Sequence, residues 1–442
     1  MSITVRKLSE LSDSDLLRYL DRRPQSDRLI TETCREVIDN VRVRGDDAVL
    51  EYTSAFDGVT LDSKELRVSP GEFDDAENSV SSSVAEAVEH SIRNIKRFHQ
   101  AQRCPENCWM EVEPGVWCGE RWTPIDTVCL YVPHGRGAFA SVACMLGIAA
   151  KIAGVRRIAM CTPPGRAGEM DSATLYACRR MGIDEVYRVG GAQAVAAVAY
   201  GTRSIPKCDK LVGPGNVYVS AARRLLSDVI DPGSPAGPSE SLIICDDTPD
   251  PSNVAWNLLI EAEHGENSTA LLVTHSRRMA DAVVAALLVQ LEQLPPLRRD
   301  YAAIVLKERG GVLLTADLND SVDFANRFAA EHVALMVEDP WTVHPQLTNV
   351  GEIVFGDYPI ISLANYGMGM NAILPTGGSA RSFSPISVRD FVKMTSLGFC
   401  TRPGYERLVP VVSALSRDEG FSAHHLAVER WRKGEPNEGT NT

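Results

Sequence analysis

The sequence predicts an α/β protein: two Rossmann-like doubly wound domains with small helical N- and C-terminal pieces. Three observations carry this. From Thr127 onward, short apolar runs alternate with stretches of 3.6-residue apolar spacing, which is βαβ grammar and implies parallel sheets covered on both faces. Glycine-bearing turns follow several of the apolar runs, as at Gly190-Gly191 and Gly213-Pro214-Gly215. The length, 442 residues, allows two or three domains and a large buried core.

The first stretch, up to Arg28, is polar and reads as a helical arm. Asp46–Phe56 and Val84–Arg103 have helical spacing, with Leu61–Val68 between them as a candidate strand. Cys104–Asp126 is richer in Pro, Gly and Trp and reads as irregular or short-stranded. The first alternating unit then runs strand Val128–Val132, helix Phe139–Ala153, strand Arg157–Cys161, helix Ser172–Met181, strand Glu185–Val189, helix Gly190–Tyr200, strand Leu211–Val212 and a helix to Val229. The second runs strand Leu242–Cys245, a helix to His264, strand Ala270–Val273, a helix to Leu294, strand Ile304–Leu306, a helix to Ala330 and strand Val333–Met336. Asn365–Gly378 is too glycine-rich for a helix, and Gly434–Thr442 is a polar tail expected to be disordered.

A formal net charge of -13 argues against a nucleic-acid or anionic-membrane surface. The 11 cysteines have no CxxC spacing, which fits unpaired thiols in the cytoplasm and not a disulfide framework. The N-terminus has no signal-type apolar core, and Phe139–Ala150 is too short to span a membrane.

Candidate chemistry lies in six places. Glu331 and His332 join a helix to a strand; a carboxylate can activate water and an imidazole can take a proton, although on the dipeptide alone a solvated Glu and a satisfied His are the commoner reading. Glu261 and His264 are i and i+3 on one helix face and can chelate one metal. The turns at Pro133-His134-Gly135, Gly190-Gly191-Ala192-Gln193 and Gly213-Pro214-Gly215-Asn216 offer backbone N–H groups to a polar ligand, or are tight turns that need glycine; none is a GxGxxG fingerprint. The Asn365–Gly378 loop is either functional or a connection. Ser239 suits a ligand or a cap, and Glu419 through His425 offers a carboxylate and two imidazoles.

Taken in order, these motifs resemble the histidinol dehydrogenase family over roughly Leu29 to Val428. The landmarks are Tyr131-Val132-Pro133, Gly190-Gly191-Ala192-Gln193-Ala194, Gly213-Pro214-Gly215-Asn216, Ala236-Gly237-Pro238-Ser239-Glu240, Ala262-Glu263-His264-Gly265, Glu331-His332, Leu374-Pro375-Thr376 and Ala423-His424. The resemblance implies a zinc- and NAD-dependent oxidation of an alcohol through an aldehyde to an acid, in a domain-swapped homodimer. It implies that Tyr131, Gln193 and Asn216 meet NAD, and that Ser239 and Glu419 meet substrate, Glu419 across the dimer. Glu331 would activate water, His332 would be the base, and His264 and His424 would bind zinc, with His425 a neighbour.

By the same resemblance, residues 1–28 form an arm. Residues 29–127 with 242–385 form a main domain carrying the metal and catalytic residues. Residues 128–241 form an inserted cofactor domain, and 386–442 a helical dimerisation tail.

Three departures stand out. The family's glutamine ligand is Glu261 here, its aspartate ligand is Asn365, and the substrate-side His is Ala372. The first two exchange one carboxylate between metal-facing positions, so a metal site is expected to persist with altered affinity and geometry. The third opens the pocket and makes it less polar; Met368 and Met370 add adaptable apolar surface. His134 stands where a glycine is usual. The expectation is an alcohol dehydrogenase with a small polar substrate other than histidinol. Histidinol dehydrogenase proper, or a non-catalytic metal or ligand binder, are the alternatives.

Overall fold

The computed structural model describes residues 3–22, 28–134, 137–358 and 360–432. The strands are β1 (Val5–Lys7), β2 (Asn107–Glu113), β3 (Val116–Pro124), β4 (Thr127–Tyr131), β5 (Arg157–Thr162), β6 (Glu185–Arg188), β7 (Lys210–Val212), β8 (Glu240–Cys245), β9 (Thr269–Thr274), β10 (Gly311–Leu314), β11 (His332–Met336), β12 (Glu352–Phe355) and β13 (Val392–Cys400). They form three sheets: a six-stranded one in the order β1-β10-β9-β8-β11-β12, a four-stranded one in the order β6-β5-β4-β7, and a three-stranded one in the order β13-β3-β2. The two larger sheets are parallel throughout, and the smallest is antiparallel.

Strands buried on both faces explain the unbroken apolar runs of the sequence. In the six-stranded sheet, Ile243, Ala270, Leu272 and Ala334 pack under the helices Pro251–Ala262, Arg277–Leu291 and Pro296–Glu308. Leu242, Leu271, Val273 and Val333 face the other way, onto helix Leu318–Phe328 and the arm residues Leu11, Leu16 and Tyr19. The four-stranded sheet does the same. Leu130 and Met160 lie under helices Ala140–Ala153 and Ser172–Met181, whereas Cys129 and Ala159 lie under Arg28–Arg44 and Gly191–Tyr200.

The chain divides into two compact units: residues 1–103 with 125–391, and residues 104–124 with 392–442. The first holds both parallel sheets. The second holds the antiparallel sheet and the helices Arg402–Asp418 and Ser422–Arg432. Its surface carries many large apolar side chains, among them Trp109, Met110, Phe399, Leu415, Phe421 and Trp431.

Several expectations change. Ile304–Leu306 lies inside helix Pro296–Glu308, and the strand is β10, five residues later. Leu61–Val68 is not a strand; only an isolated bridge from Arg67 to Tyr187 is present. Cys104–Asp126 holds two full strands, and the helix expected to reach Val229 stops at Leu225. The arm contributes an edge strand, β1, ahead of helix Asp13–Leu20, and the C-terminal piece opens with β13. Ala364–Met368, inside the glycine-rich stretch, forms a π-helical turn. Gly135 of the first turn, residues 23–27 of the arm and the tail Gly434–Thr442 lie outside the described residues. Among the described residues, no helix is long and apolar enough to cross a membrane.

Candidate active site

A cleft of about 1290 Å³ in the first unit collects Tyr131, Gln193, Asn216, Ser239, Glu261, His264, Glu331, His332, Asn365 and Ala372. One wall is made by the C-terminal ends of β4 and β6 and the turn after β7, the end of a parallel sheet where ligands gather. The facing wall is made by the entrances to β8 and β11, with the end of helix Pro251–Ala262.

On the first wall, Tyr131 closes β4 and its hydroxyl accepts the Gly191 N–H at 3.0 Å. Gly213, at φ 135°, must be glycine: a Cβ there would lie 2.1 Å from the Tyr131 carbonyl oxygen. Asn216 caps helix Val217–Leu225 through Oδ1, which accepts the N–H groups of Tyr218 and Val219, both at 3.0 Å. Gln193 is buried, and neither Nε2 nor Oε1 of its amide has a protein partner among the described residues. Buried amides are normally satisfied, so this one fits a polar ligand. Asp57 also lines this end; burial lifts its carboxyl to about 6, and its Oδ2 has no partner among the described residues. His134 Nδ1 lies 3.1 Å from the Pro163 carbonyl oxygen.

On the second wall, helix Leu318–Phe328 ends at Ala329, whose φ of 55° turns the chain toward β11. Glu331 follows, and its Oε2 accepts the Glu240 N–H at 2.7 Å. His332 is the first residue of β11, with Nε2 3.9 Å from Glu331 Oε1 and 4.0 Å from Glu261 Oε1. Behind Glu331, Glu240 is held by the arm: Arg22 Nε and Nη2 donate to its two oxygens at 3.0 and 3.1 Å. The Arg22 guanidinium stacks 3.5 Å over the Phe328 ring and also donates to the Phe328 carbonyl.

Glu261 and His264 lie one turn apart, with Oε2 and Nδ1 3.3 Å apart. His264 Nδ1 is 2.8 Å from the Ile260 carbonyl, the contact of a ring whose lone pair sits on Nε2. Asn365, in the π-helical turn, puts Nδ2 3.4 Å from Glu261 Oε1, while its buried Oδ1 has no partner among the described residues. These three donors fit one corner of a metal site, the orphaned amide oxygen above all. Only two of them are of the His, Cys, Asp or Glu types, and no cluster of three such residues able to hold a metal occurs among the described residues.

Charge is concentrated here. Burial raises the Glu331 carboxyl well above the usual range; the nearby Glu261 charge adds to this, and His332 opposes it. Burial favours a neutral His332, yet the hydrogen bond to Glu352 and the charges of Glu331 and Glu261 push the imidazole up to about 10. Burial also works against the Glu261 charge, but His264, His332, Asn365 and Ser239 outweigh it and hold the carboxyl low. A pocket with this many carboxylates suits a cation.

Ala372 sits where the backbone N–H meets the Met145 Sδ at 3.4 Å, and it packs on an apolar cluster. Met370 packs into the core and Met368 is exposed. Glu419 and His424 are not in this cleft. They belong to the second unit, where both are exposed, His424 edge-on to Phe421 and His425 beside Arg417. Glu352 escaped the sequence reading: it opens β12, and its Oε2 lies 2.8 Å from His332 Nδ1. The signal was a lone Glu in Gly351-Glu352-Ile353-Val354-Phe355-Gly356, a run whose brevity hides the strand.

Residues 20–432 match the family model of histidinol dehydrogenase. The chain belongs to the histidinol dehydrogenase family. That family comprises oxidoreductases that act on CH–OH groups with NAD. A histidinol dehydrogenase from Synechocystis is 45% identical over 424 residues, covering 96% of this chain and 98% of that one. A histidinol dehydrogenase homolog from Colwellia psychrerythraea is 42% identical over 432 residues, covering 97% of each. The crystal structure of histidinol dehydrogenase from Elizabethkingia anophelis superposes with a TM-score of 0.91 at 31% identity, covering 98% of both chains.

Proposed function

We propose that this member of the family is a zinc- and NAD-dependent dehydrogenase that oxidises a small polar alcohol other than histidinol, through the aldehyde to the acid. The observation that carries this is the corner where Glu261, His264 and Asn365 meet Glu331 and His332, with the Ala372 methyl facing the same cleft. The dehydrogenase chemistry is retained in the Glu-His pair, while the metal and substrate positions have exchanged their side chains.

Glu261, His264 and Asn365 would hold zinc, with His424 from a second copy of the chain. Zinc there supplies a Lewis acid for the alcohol oxygen and a positive charge that lowers the proton affinity of Glu331 and His332. His332 Nε2 would take the hydroxyl proton, and NAD, when bound, would supply the hydride acceptor. Glu331, steadied by the Glu240 N–H, then directs water onto the aldehyde. The buried, unpartnered Gln193 amide supports NAD on the first wall, with Tyr131 and Asn216 beside it. Residues 128–241 form the cofactor domain on this reading, and residues 29–127 with 242–385 the catalytic one.

A homodimer with a shared site accounts for Glu419 and His424 standing outside the cleft, on a unit rich in exposed apolar surface. The free cysteines fit a cytoplasmic enzyme.

The test is NADH formation by zinc-loaded protein, with histidinol beside a panel of small alcohols. Turnover of another alcohol with silence on histidinol supports the proposal. Robust histidinol turnover favours the second reading, histidinol dehydrogenase proper, to which the 45% identity with the Synechocystis enzyme points. Silence on every alcohol, with zinc bound, would move the chain to the binder class.

A further inference from the structure

We propose that Glu352 is the positioning residue of His332. The inference rests on the functional reading above and adds to it a carboxylate that fixes which ring nitrogen faces the cleft. β11 and β12 are parallel neighbours, and their register pairs His332 with Glu352. Paired residues point to the same side of a sheet, so the two side chains meet. Glu352 Oε2 lies 2.8 Å from His332 Nδ1, with both residues buried. The backbone reinforces this: the Gly351 and Glu352 N–H groups donate to the carbonyls of Ala330 and Glu331, each at 2.9 Å. Gly351 has no room for a side chain, because a Cβ would lie 2.6 Å from the Glu331 carbonyl oxygen. The entrance to β12 is thus seated directly on the catalytic pair.

The geometry leaves one consistent arrangement. Nδ1–H donates to Glu352, and Nε2 faces Glu331 and Glu261 from 3.9 and 4.0 Å. A carboxylate behind an imidazole sets ring orientation and tautomer, as it does behind catalytic and metal-bound histidines generally. The other Glu352 oxygen, Oε1, is buried with no protein partner among the described residues. A half-satisfied buried carboxylate is a costly way to fill space, and an apolar side chain would do it more cheaply. Its hydrogen bond to His332 is the contact that accounts for it.

The experiment compares wild type with Glu352→Gln and Glu352→Leu as full-length zinc-loaded proteins. Long-range ¹H–¹⁵N correlation on ¹⁵N-histidine protein reads the His332 ring, assigned with His332→Gln. Wild type is expected to show a downfield, slowly exchanging proton on Nδ1. Gln keeps an acceptor and retains that proton with a smaller downfield shift; Leu loses it. With an alcohol that turns over, Leu lowers kcat about 10²-fold or more with KM within a few fold, and Gln recovers about tenfold of the loss. An Nδ1 proton unchanged in a folded Leu variant overturns the proposal, as does a kcat that does not move. A missing Nδ1 proton in wild type overturns it too. The ring measurement needs no substrate, so it decides the matter even if the dehydrogenase reading fails, which would instead show as no turnover in wild type.

Discussion

At Asp57 the protein holds a carboxyl that burial lifts to about 6, with one oxygen lacking a partner among the described residues. In the unfolded chain that group titrates near 3.9, so the native state binds more protons between about pH 4 and pH 6. Its contribution to stability therefore declines as pH rises through this window, and the cost is fully present above about pH 6. Asp57→Asn is expected to be more stable than wild type at pH 7.5, with the gap closing toward pH 4 in urea melts. A constant gap would show that burial of the charge is not the cause. At the opposite wall, His332→Ala should lower alcohol oxidation roughly 10²–10⁴-fold, and Glu331→Gln should leave the first NADH but block acid formation. Wild-type rates in either variant would remove these residues from their roles. Restoring the family's side chains together, as Glu261→Gln, Asn365→Asp and Ala372→His, should raise histidinol oxidation, and an unchanged rate would sink the specificity argument.

Arg22 and Glu240 clamp the arm to the six-stranded sheet. The side chains of Arg22 and Glu240 are both buried, so Arg22→Met leaves the carboxylate without its charged partner and should cost about 3–5 kcal/mol. Arg22→Met combined with Glu240→Leu should cost less than the single change, and equilibrium unfolding in urea distinguishes them. The elements also show what a sequence does and does not reveal. Strands such as β8, Glu240–Cys245, expected over Leu242–Cys245, were readable because both faces are buried, so the apolar run is unbroken. The same logic misplaced β10: Ala302, Val305 and Leu306 form an apolar run too, but they are the buried side of a helix. The true strand is four residues long and opens with a glycine at φ 101°. β12 was missed for a like reason, and Glu352 with it. The proximity of Glu261 and His264 was visible as i, i+3 spacing. That Asn365 faces Glu261 follows from a π-helical turn more than 100 residues away in sequence, which no local pattern encodes.

For the whole molecule, the proposed zinc site would draw its fourth donor, His424, from a second copy of the chain. Glu419 and His424 belong to the unit built from residues 104–124 and 392–442, and neither is among the residues that line the cleft of the first unit. If they complete a neighbour's site, two inactive proteins should rescue each other. His264→Ala and His424→Ala, each inactive alone, should on refolding together recover about a quarter of wild-type activity. Half of random dimers are mixed, and each mixed dimer has one intact site. No recovery from a mixture shown to contain mixed dimers would place both ligands in one chain.

The edge strand β1 pairs in parallel with β10, Val5 against Val312. The chain therefore begins with a segment whose partner is made some 300 residues later. At about 5–20 residues per second, a ribosome leaves that strand waiting roughly 15–60 s with its N–H and C=O groups unpaired. Over the same interval the apolar side of helix Asp13–Leu20 has no sheet to lie on. The antiparallel sheet waits longer still, because β3 needs β13. The nascent protein thus carries an unpaired strand until β10 is made and an open edge on β3 until β13 is made, and its yield in a cell should depend on what shields them.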